Sequence, residues 1–314
     1  MKRKQLIVIG GGAAGFFCAV NAARLNPGLQ VVILEKTSKL LSKVKISGGG
    51  RCNVTHACFS IADIVKKYPR GNFFLKKAFH HFFTNDTIEW FKERGVGLKT
   101  EADGRMFPVT DNSQTIIDCL IKEANKYNVE IRMNMGVHRL IIVNEQSEIN
   151  KRFQLHLDNE IMSADYVCVA CGGYPKILQY NWLQQISHTI ESPVPSLFTF
   201  NMPGSSITSL MGVSVECVQV KLVGTKLMEQ GPLLITHWGM SGPVVLKLSA
   251  WAARELADAK YNFKVLINWL PVYNENSLRE QFQKLRFKLA IQKIANRNPF
   301  ALPNRLWEYL LQQS

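Results

Sequence analysis

The run Gly10-Gly11-Gly12-Ala13-Ala14-Gly15 constrains this chain more than any other feature. It follows an apolar stretch, residues 6–9, that reads as a buried strand, and it opens Ala13–Leu25, which reads as a helix stopped before Pro27. Residues 31–35 read as a second strand, so the segment is one βαβ unit. In a GxGxxG placed this way Gly10 permits the tight turn, Gly12 lets the backbone approach a diphosphate, and Gly15 allows the helix to pack closely on the strand. The phosphate rests on the helix N-terminus, where free N–H groups and the positive end of the dipole favour an anion. Glu35 stands 20 residues beyond Gly15, the distance at which an acidic side chain accepts from a ribose hydroxyl. The pattern predicts dinucleotide binding and by itself suits NAD and FAD equally.

Of 314 residues, 46% are hydrophobic and 20% charged, which excludes disordered and collagen-like chains. Strand and helix alternate to about residue 190: residues 113–127 and a helix capped by Thr84 or Asn85 and running through Glu93 join strands at residues 130–133 and 165–170. After Pro193 and Pro195 the texture becomes β-rich, with runs at residues 213–223 and 263–269. Helices are expected there from Pro243 to about Ala257, from Ser277 to about Ala295, and over residues 302–312. The expected architecture is α/β: a doubly wound Rossmann-like dinucleotide domain over residues 1–190, and a β-rich domain with helices over residues 191–314.

Lys2, Arg3 and Lys4 precede an apolar stretch, residues 6–23, that imitates a signal peptide, but four glycines interrupt it and the strand and helix use all its apolar residues. No other stretch approaches the roughly 20 apolar residues of a membrane helix. Seven scattered cysteines fit a reducing compartment, and a cytoplasmic location is expected. Cys168 and Cys171 form a CxxC that reads as small buried thiols ending a strand, and no zinc-type spacing completes a metal site.

Net charge is +14, with 38 Lys and Arg against 24 Asp and Glu, and it is uneven. Residues 1–100 carry 17 basic and 5 acidic side chains, residues 101–200 carry 8 and 12, and residues 201–314 carry 13 and 7. Such a field attracts a phosphate-bearing cofactor, RNA or an anionic surface. The basic run at residues 66–77 contains Tyr68, Phe73 and Phe74 but matches no recognised RNA-binding pattern.

A second glycine-rich loop, Ser47-Gly48-Gly49-Gly50-Arg51-Cys52-Asn53, can bring backbone N–H groups and a guanidinium to a phosphate or to the edge of a flavin. Cys52 has two readings: a thiolate favoured by Arg51, or a packing residue beside a cofactor. His237, in Thr-His-Trp-Gly-Met-Ser-Gly-Pro at a helix start, is the best candidate for a proton donor. Arg105 either clamps an anion or pairs a carboxylate such as Asp103.

These motifs, with Leu34-Glu35-Lys36, Lys43, Thr55, Gly104-Arg105-Met106-Phe107-Pro108, Ala170-Cys171-Gly172-Gly173 and Leu302-Pro303-Asn304-Arg305-Leu306-Trp307, give the chain its resemblance to the bacterial aminoacetone oxidase-like flavoproteins. That group of FAD-dependent oxidoreductases includes bile-acid-reductase relatives, and the resemblance covers essentially the whole chain. It implies FAD as cofactor, with Gly10, Gly12, Ala13, Ala14 and Gly15 at the diphosphate and Glu35 with Lys36 at the adenosine ribose. It implies Lys43, Gly48, Gly50, Arg51, Cys52 and Asn53 along the cofactor toward the flavin. Val137 takes a position that meets adenine through its backbone, and Gly172 falls in a cofactor-side motif.

The chain departs from the family pattern twice. Family members continue into a Gly-Glu or Gly-Asp segment that binds the ribityl and flavin parts, and no glycine after residue 190 is followed by an acid here. The expectation is a chain truncated relative to the family, or completed by another polypeptide. After Gly173, Tyr174-Pro175-Lys176-Ile177-Leu178 replaces the family's serine- and glycine-rich loop. The expected activity is hydride transfer between NAD(P)H, an amine or another organic substrate and an acceptor through bound FAD. Its partner is a small-molecule substrate and not a membrane. An RNA-associated flavoprotein and a truncated, inactive family member are the alternatives, and the sequence sets no oligomeric state.

Overall fold

Side chains of a strand alternate between the two faces of its sheet, and in the first strand both faces are apolar. The computed structural model describes residues 3–143, 151–294 and 297–313. The chain divides into two compact units, Met1–Pro193 and Val194–Ser314. Numbering strands β1–β15 and helices α1–α11 in chain order, β1 (Gln5–Ile9) lies between β2 (Gln30–Glu35) and β10 (Tyr166–Val169). β6 (Glu130–Met133) extends the sheet in the order β10-β1-β2-β6, all parallel.

Leu6 and Val8, with Val31 and Ile33, face α1 (Ala13–Leu25), α5 (Thr84–Lys92) and α6 (Gln114–Lys126), whose Phe16, Val20, Trp90, Phe91, Ile116 and Leu120 close over them. Ile7, Ile9, Val32 and Leu34 face the other way. They are covered by an antiparallel meander of β7 (Val137–Ile142), β8 (Phe153–Leu157) and β9 (Ile161–Ala164), and by Trp182 of α7 (Asn181–Gln184). Burial on both faces explains why β1 and β2 read as unbroken apolar runs.

Between β2 and β6 the chain forms α2 (Ser42–Ile46), α3 (Ile61–Ile64), α4 (Asn72–Phe79) and a small antiparallel sheet. Its strands β3 (Thr55–His56), β5 (Arg105–Pro108) and β4 (Leu98–Thr100) lie in that order. Beyond α5, Arg94 Nε donates to Glu123 Oε2 of α6 at 2.9 Å, both side chains nearly fully buried, and its guanidinium lies 3.8 Å from the Trp90 ring centre.

The second unit is a five-stranded antiparallel sheet in the order β11 (Phe200–Asn201), β14 (Gly239–Ser241), β13 (Met228–Thr236), β12 (Ser214–Leu222), β15 (Val265–Asn268). Val218, Val220, Leu233 and Ile235 pack against Val245 and Leu248 of α8 (Pro243–Trp251) and against Leu306 and Trp307 of α11 (Asn304–Gln313). α9 (Ala253–Asp258) and α10 (Glu275–Lys288) complete the unit.

Three helix limits differ from the sequence expectation. The helix from Pro243 is broken at Ala252, whose φ of −87° and ψ of 11° interrupt the helical path between α8 and α9. α10 begins before Ser277, because Asn274 caps it by accepting from the Ser277 N–H at 2.9 Å, and it ends at Lys288. Ala295 lies outside the described residues. α5 begins at Thr84, with Phe83 in the cap position and the Asp86 carboxylate accepting from the Phe83 N–H at 2.7 Å. Neither Thr84 nor Asn85 is therefore the cap. Among the described residues no helix is long and apolar enough to cross a membrane.

Candidate functional site

Strand order reverses between β10 and β1, and in an open parallel sheet the crevice beyond the carboxyl ends at such a point is where ligands bind. Gly10 leaves β1 with φ +116°, its N–H donating to the Leu34 carbonyl at 2.8 Å, and a Cβ there would lie 2.4 Å from the Ala170 carbonyl oxygen. A Cβ on Gly15 would lie 1.9 Å from the Gly10 carbonyl oxygen, so α1 rests on the turn at a distance only glycine allows. At Gly12 the situation is reversed: a Cβ there meets nothing within 4 Å. Gly12 is also the N-cap of α1, without a side-chain cap and without an acidic residue in the first turn. The first-turn amides have no intrahelical partners, and Ala13 and Ala14 are exposed.

Three clefts of the first unit join end to end around this corner. The middle one, about 670 Å³, is bordered by residues 10–14, by Glu35, Lys36, Lys39 and Lys43, and by residues 169–174. It shares Gly10, Glu35, Lys36, Cys171 and Tyr174 with a cleft of about 400 Å³ that also takes in Met135, Val137, His138 and Trp182. On the other side it shares Ala13, Ala14, Lys43 and Val44 with a cleft of about 530 Å³ walled by Phe17, Cys52, Val54, Phe91 and Leu120. The three clefts, linked by these shared border residues, make up a trench with lysines along its middle and a largely apolar wall at the second end. Lys43 Nζ reaches to 3.5 Å from where a Cβ on Gly172 would sit, which places the ammonium beside the glycine pair at the carboxyl end of β10.

Glu35 holds the turn. Its Oε2 accepts from the Gly11 N–H at 2.9 Å, and its Oε1 accepts from the N–H and the hydroxyl of Thr37, both at 2.9 Å. A carboxylate offers about four lone-pair sites, so acceptor capacity is left on the side that borders the trench. Lys36 Nζ lies 5.0 Å from the Tyr174 ring centre.

The glycine-rich loop divides. Gly48 has φ +57°, and a Cβ there would lie 2.7 Å from the Phe107 ring, so the residue is needed for packing. Gly48, Gly50 and Arg51 border none of the three clefts, whereas Ser47, Cys52 and Asn53 border the apolar one. Arg51 turns to Glu101, Nη1 to Oε1 2.5 Å, and to Asp111 at 3.6 Å, with its guanidinium 4.0 Å from the Phe107 ring centre. With that charge engaged elsewhere, burial pushes the Cys52 thiol up despite a hydrogen bond with Ser47 that acts the other way. The sequence reading in which Arg51 makes Cys52 a thiolate is therefore corrected.

The CxxC does not act as a pair. Cys168 meets Cys18 of α1, whose hydrogen bond pulls the Cys168 thiol down to about 7, while the same contact and burial push Cys18 up. Cys171 packs on the opposite face and borders the trench. Burial, then a hydrogen bond with Cys171, pushes the Tyr174 phenol up. Tyr180 fixes this segment by accepting the Tyr174 N–H at 2.7 Å, with the two rings 5.0 Å apart. Tyr174, Tyr180 and Trp182 escape the sequence reading as trench residues, although their aromatic clustering where the family pattern breaks was a signal.

Arg105 pairs Asp103 at 2.7 Å and Glu101 at 3.4 Å, which resolves its two readings in favour of carboxylate pairing. His237 belongs to the second unit. It sits in the tight turn joining β13 to β14 and not at a helix start, because Thr236 pairs with Gly239 and α8 begins only at Pro243. Its ring is exposed, with its centre 4.0 Å from that of Trp238 and its plane tilted 59° to it. Among the described residues no group of three or more His, Cys, Asp or Glu forms a metal cluster.

Comparison with known proteins agrees with this layout. The family described as HI0933-like protein Rossmann domain matches residues 4–232, and HI0933-like protein barrel and H2TH domain matches residues 194–314. The chain is 28% identical over 283 residues to the 3-dehydro-bile acid delta(4,6)-reductase of Clostridium scindens, covering 88% of this chain and 66% of that protein. It is 31% identical over 323 residues to the ribosomal RNA dihydrouridine synthase of Escherichia coli, covering 99% and 74%. The chain thus spans between 66% and 74% of the length of these curated relatives. Among solved structures, the 3-ketosteroid-delta4-(5alpha)-dehydrogenase of Rhodococcus jostii RHA1 is similar with a TM-score of 0.41 at 15% identity, covering 70% of this chain and 57% of that one. The chain belongs to the HI0933-like family of FAD-dependent oxidoreductases.

Proposed function

We propose that the protein is an FAD-dependent reductase that saturates a carbon–carbon double bond conjugated to a carbonyl, with NAD(P)H as the source of hydride. The observation that carries the reading is the trench, whose three clefts run past an open glycine corner and are bordered throughout by residues of one unit. The names of the two relatives share one chemistry: a delta(4,6)-reductase and a dihydrouridine synthase both remove a C=C bond.

The residues present fit FAD. Gly12 leaves the volume a diphosphate needs, the uncapped amides of α1 at Ala13 and Ala14 receive its oxygens, and Lys36, Lys39 and Lys43 offset its charge. Glu35 accepts from the ribose, and Val137 with Met135, Trp182 and Tyr174 encloses the adenine. FAD, when bound, supplies reversible hydride chemistry. Phe17, Val44, Cys52, Val54 and Phe91 keep water from the flavin end, where Cys52 acts as a packing thiol. Saturation also requires a proton, which general-acid chemistry supplies from a group beside the double bond. A second reading, in which the double bond belongs to a uridine of RNA, draws on the relative's name and on the basic first hundred residues.

The test is uptake. Purified protein mixed with FAD and desalted should be yellow with absorbance near ~450 nm, and NADPH under anaerobic conditions should bleach it until an enone is added. Protein that stays colourless would overturn the reading. Retained colour without bleaching would remove NAD(P)H from it.

A further inference from the structure

We propose that the outer face of α4 is a docking surface for unpaired RNA, on which Phe73 and Phe74 stack bases while Lys76 and Lys77 hold phosphates. The inference deepens the second reading above, in which the double bond belongs to RNA, by naming a binding face that lies outside the trench in the first unit.

Helical spacing sorts α4 into two faces. Leu75 and Phe79 turn inward, where the Phe79 ring lies 6.0 Å from Tyr68 and 5.1 Å from Phe83. The opposite face carries Phe73, Lys77 and His80 in one row, at spacings of four and three, with Phe74 and His81 beside it. Phe73 and Phe74 are 83% and 76% exposed, among the most exposed rings in the chain. Two adjacent phenyl rings left in water on a helix already anchored by a third are not explained by packing. The lysines alone have an ordinary account, since cations near a helix C-terminus complement its dipole. That account does not reach the rings.

Charge complementarity selects the occupant. Between Ile61 and His81 five basic side chains stand against the single acid Asp63, which is engaged with Lys66 at 2.8 Å. Lys76 and Lys77 have no ion-pair partner among the described residues. Cations interleaved with exposed rings on one face form the arrangement that tracks a single strand, because every base offers a π-face and every linkage a phosphate. A membrane-surface helix instead separates an apolar face from a cationic one and needs greater length; here rings and ammonium groups share one face of an eight-residue helix. RNA is the fitting polymer because its loops present unstacked bases, whereas duplexes hide them.

The experiment is fluorescence anisotropy of a labelled 20-nucleotide single-stranded RNA titrated with the full chain. Parallel arms use single-stranded DNA, duplex RNA and phosphatidylglycerol vesicles. Phe73→Ala/Phe74→Ala should weaken RNA binding by about tenfold to a thousandfold, given the worth of base–ring stacking. Lys76→Gln/Lys77→Gln should lower the slope of log affinity against log salt by about 1.4. Circular dichroism and FAD uptake, which report on the fold and on the trench, should not change in either variant, so this inference and the redox reading can fail separately. RNA affinity unaffected by the ring substitutions, equal affinity for single-stranded DNA or duplex RNA, or ring-dependent binding to vesicles and not to RNA would each overturn the proposal.

Discussion

The Glu35 carboxylate accepts the amide of Gly11 at 2.9 Å, tying the end of β2 to the glycine turn at the end of β1. One side chain therefore shapes the corner and faces the trench. Glu35→Ala should lower stability by about 1–3 kcal/mol, the usual cost of leaving partly buried donors unpaired, and should weaken FAD binding at least tenfold. Thermal melts with and without FAD separate the two effects.

Gly12 and Gly15 should respond oppositely to an added side chain. Gly12→Val meets no protein atom near its Cβ and should fold with only the small fall in apo melting temperature that valine costs at an N-cap, yet take up no FAD. Gly15→Val drives its Cβ into the Gly10 carbonyl and should fail to fold or melt far below the parent. Circular dichroism together with visible absorbance reads both.

Cys168 should be the pH-sensitive thiol. Its value is pulled down to about 7 by the hydrogen bond from Cys18, so the proton stays on below that pH and the reactive thiolate accumulates above it. Alkylation at Cys168, followed by peptide mass spectrometry, should rise through about pH 7. Cys18→Ala should move the rise upward toward an ordinary thiol.

Arg94 and Glu123 form an ion pair out of solvent contact. Arg94→Met leaves the buried Glu123 carboxylate only Lys126, 3.6 Å away, and should cost less than the roughly 3–5 kcal/mol of a fully orphaned charge, whereas replacing both residues with apolar ones of similar size should recover most of that loss. Urea denaturation of the single and double variants measures the difference.

The corner was legible in the sequence because three local signals coincide there: an unbroken apolar run in β1, helical spacing in α1, and glycines at the positions where chain meets chain. The parallel sheet followed from the same runs. The meander β7–β9 was not legible, since its strands are short and Ile142 and Ile161 face water. Partners distant in sequence explain what becomes of Arg51 and of the two CxxC thiols, which were read as separate buried thiols and do not pair. A guanidinium beside a thiol in sequence is drawn away by Glu101, and Cys168 finds Cys18 across the sheet instead of its neighbour Cys171. The aromatic wall at Tyr174, Tyr180 and Trp182 lay where sequence resemblance lapsed, and only the folded backbone brings it to the trench.

No side chain closes the N-terminus of α1, so an anion that settles there finishes the helix as well as occupying a site. Bound there, such an anion would stabilise the folded chain by mass action, and loaded protein should outlast unloaded protein against a protease.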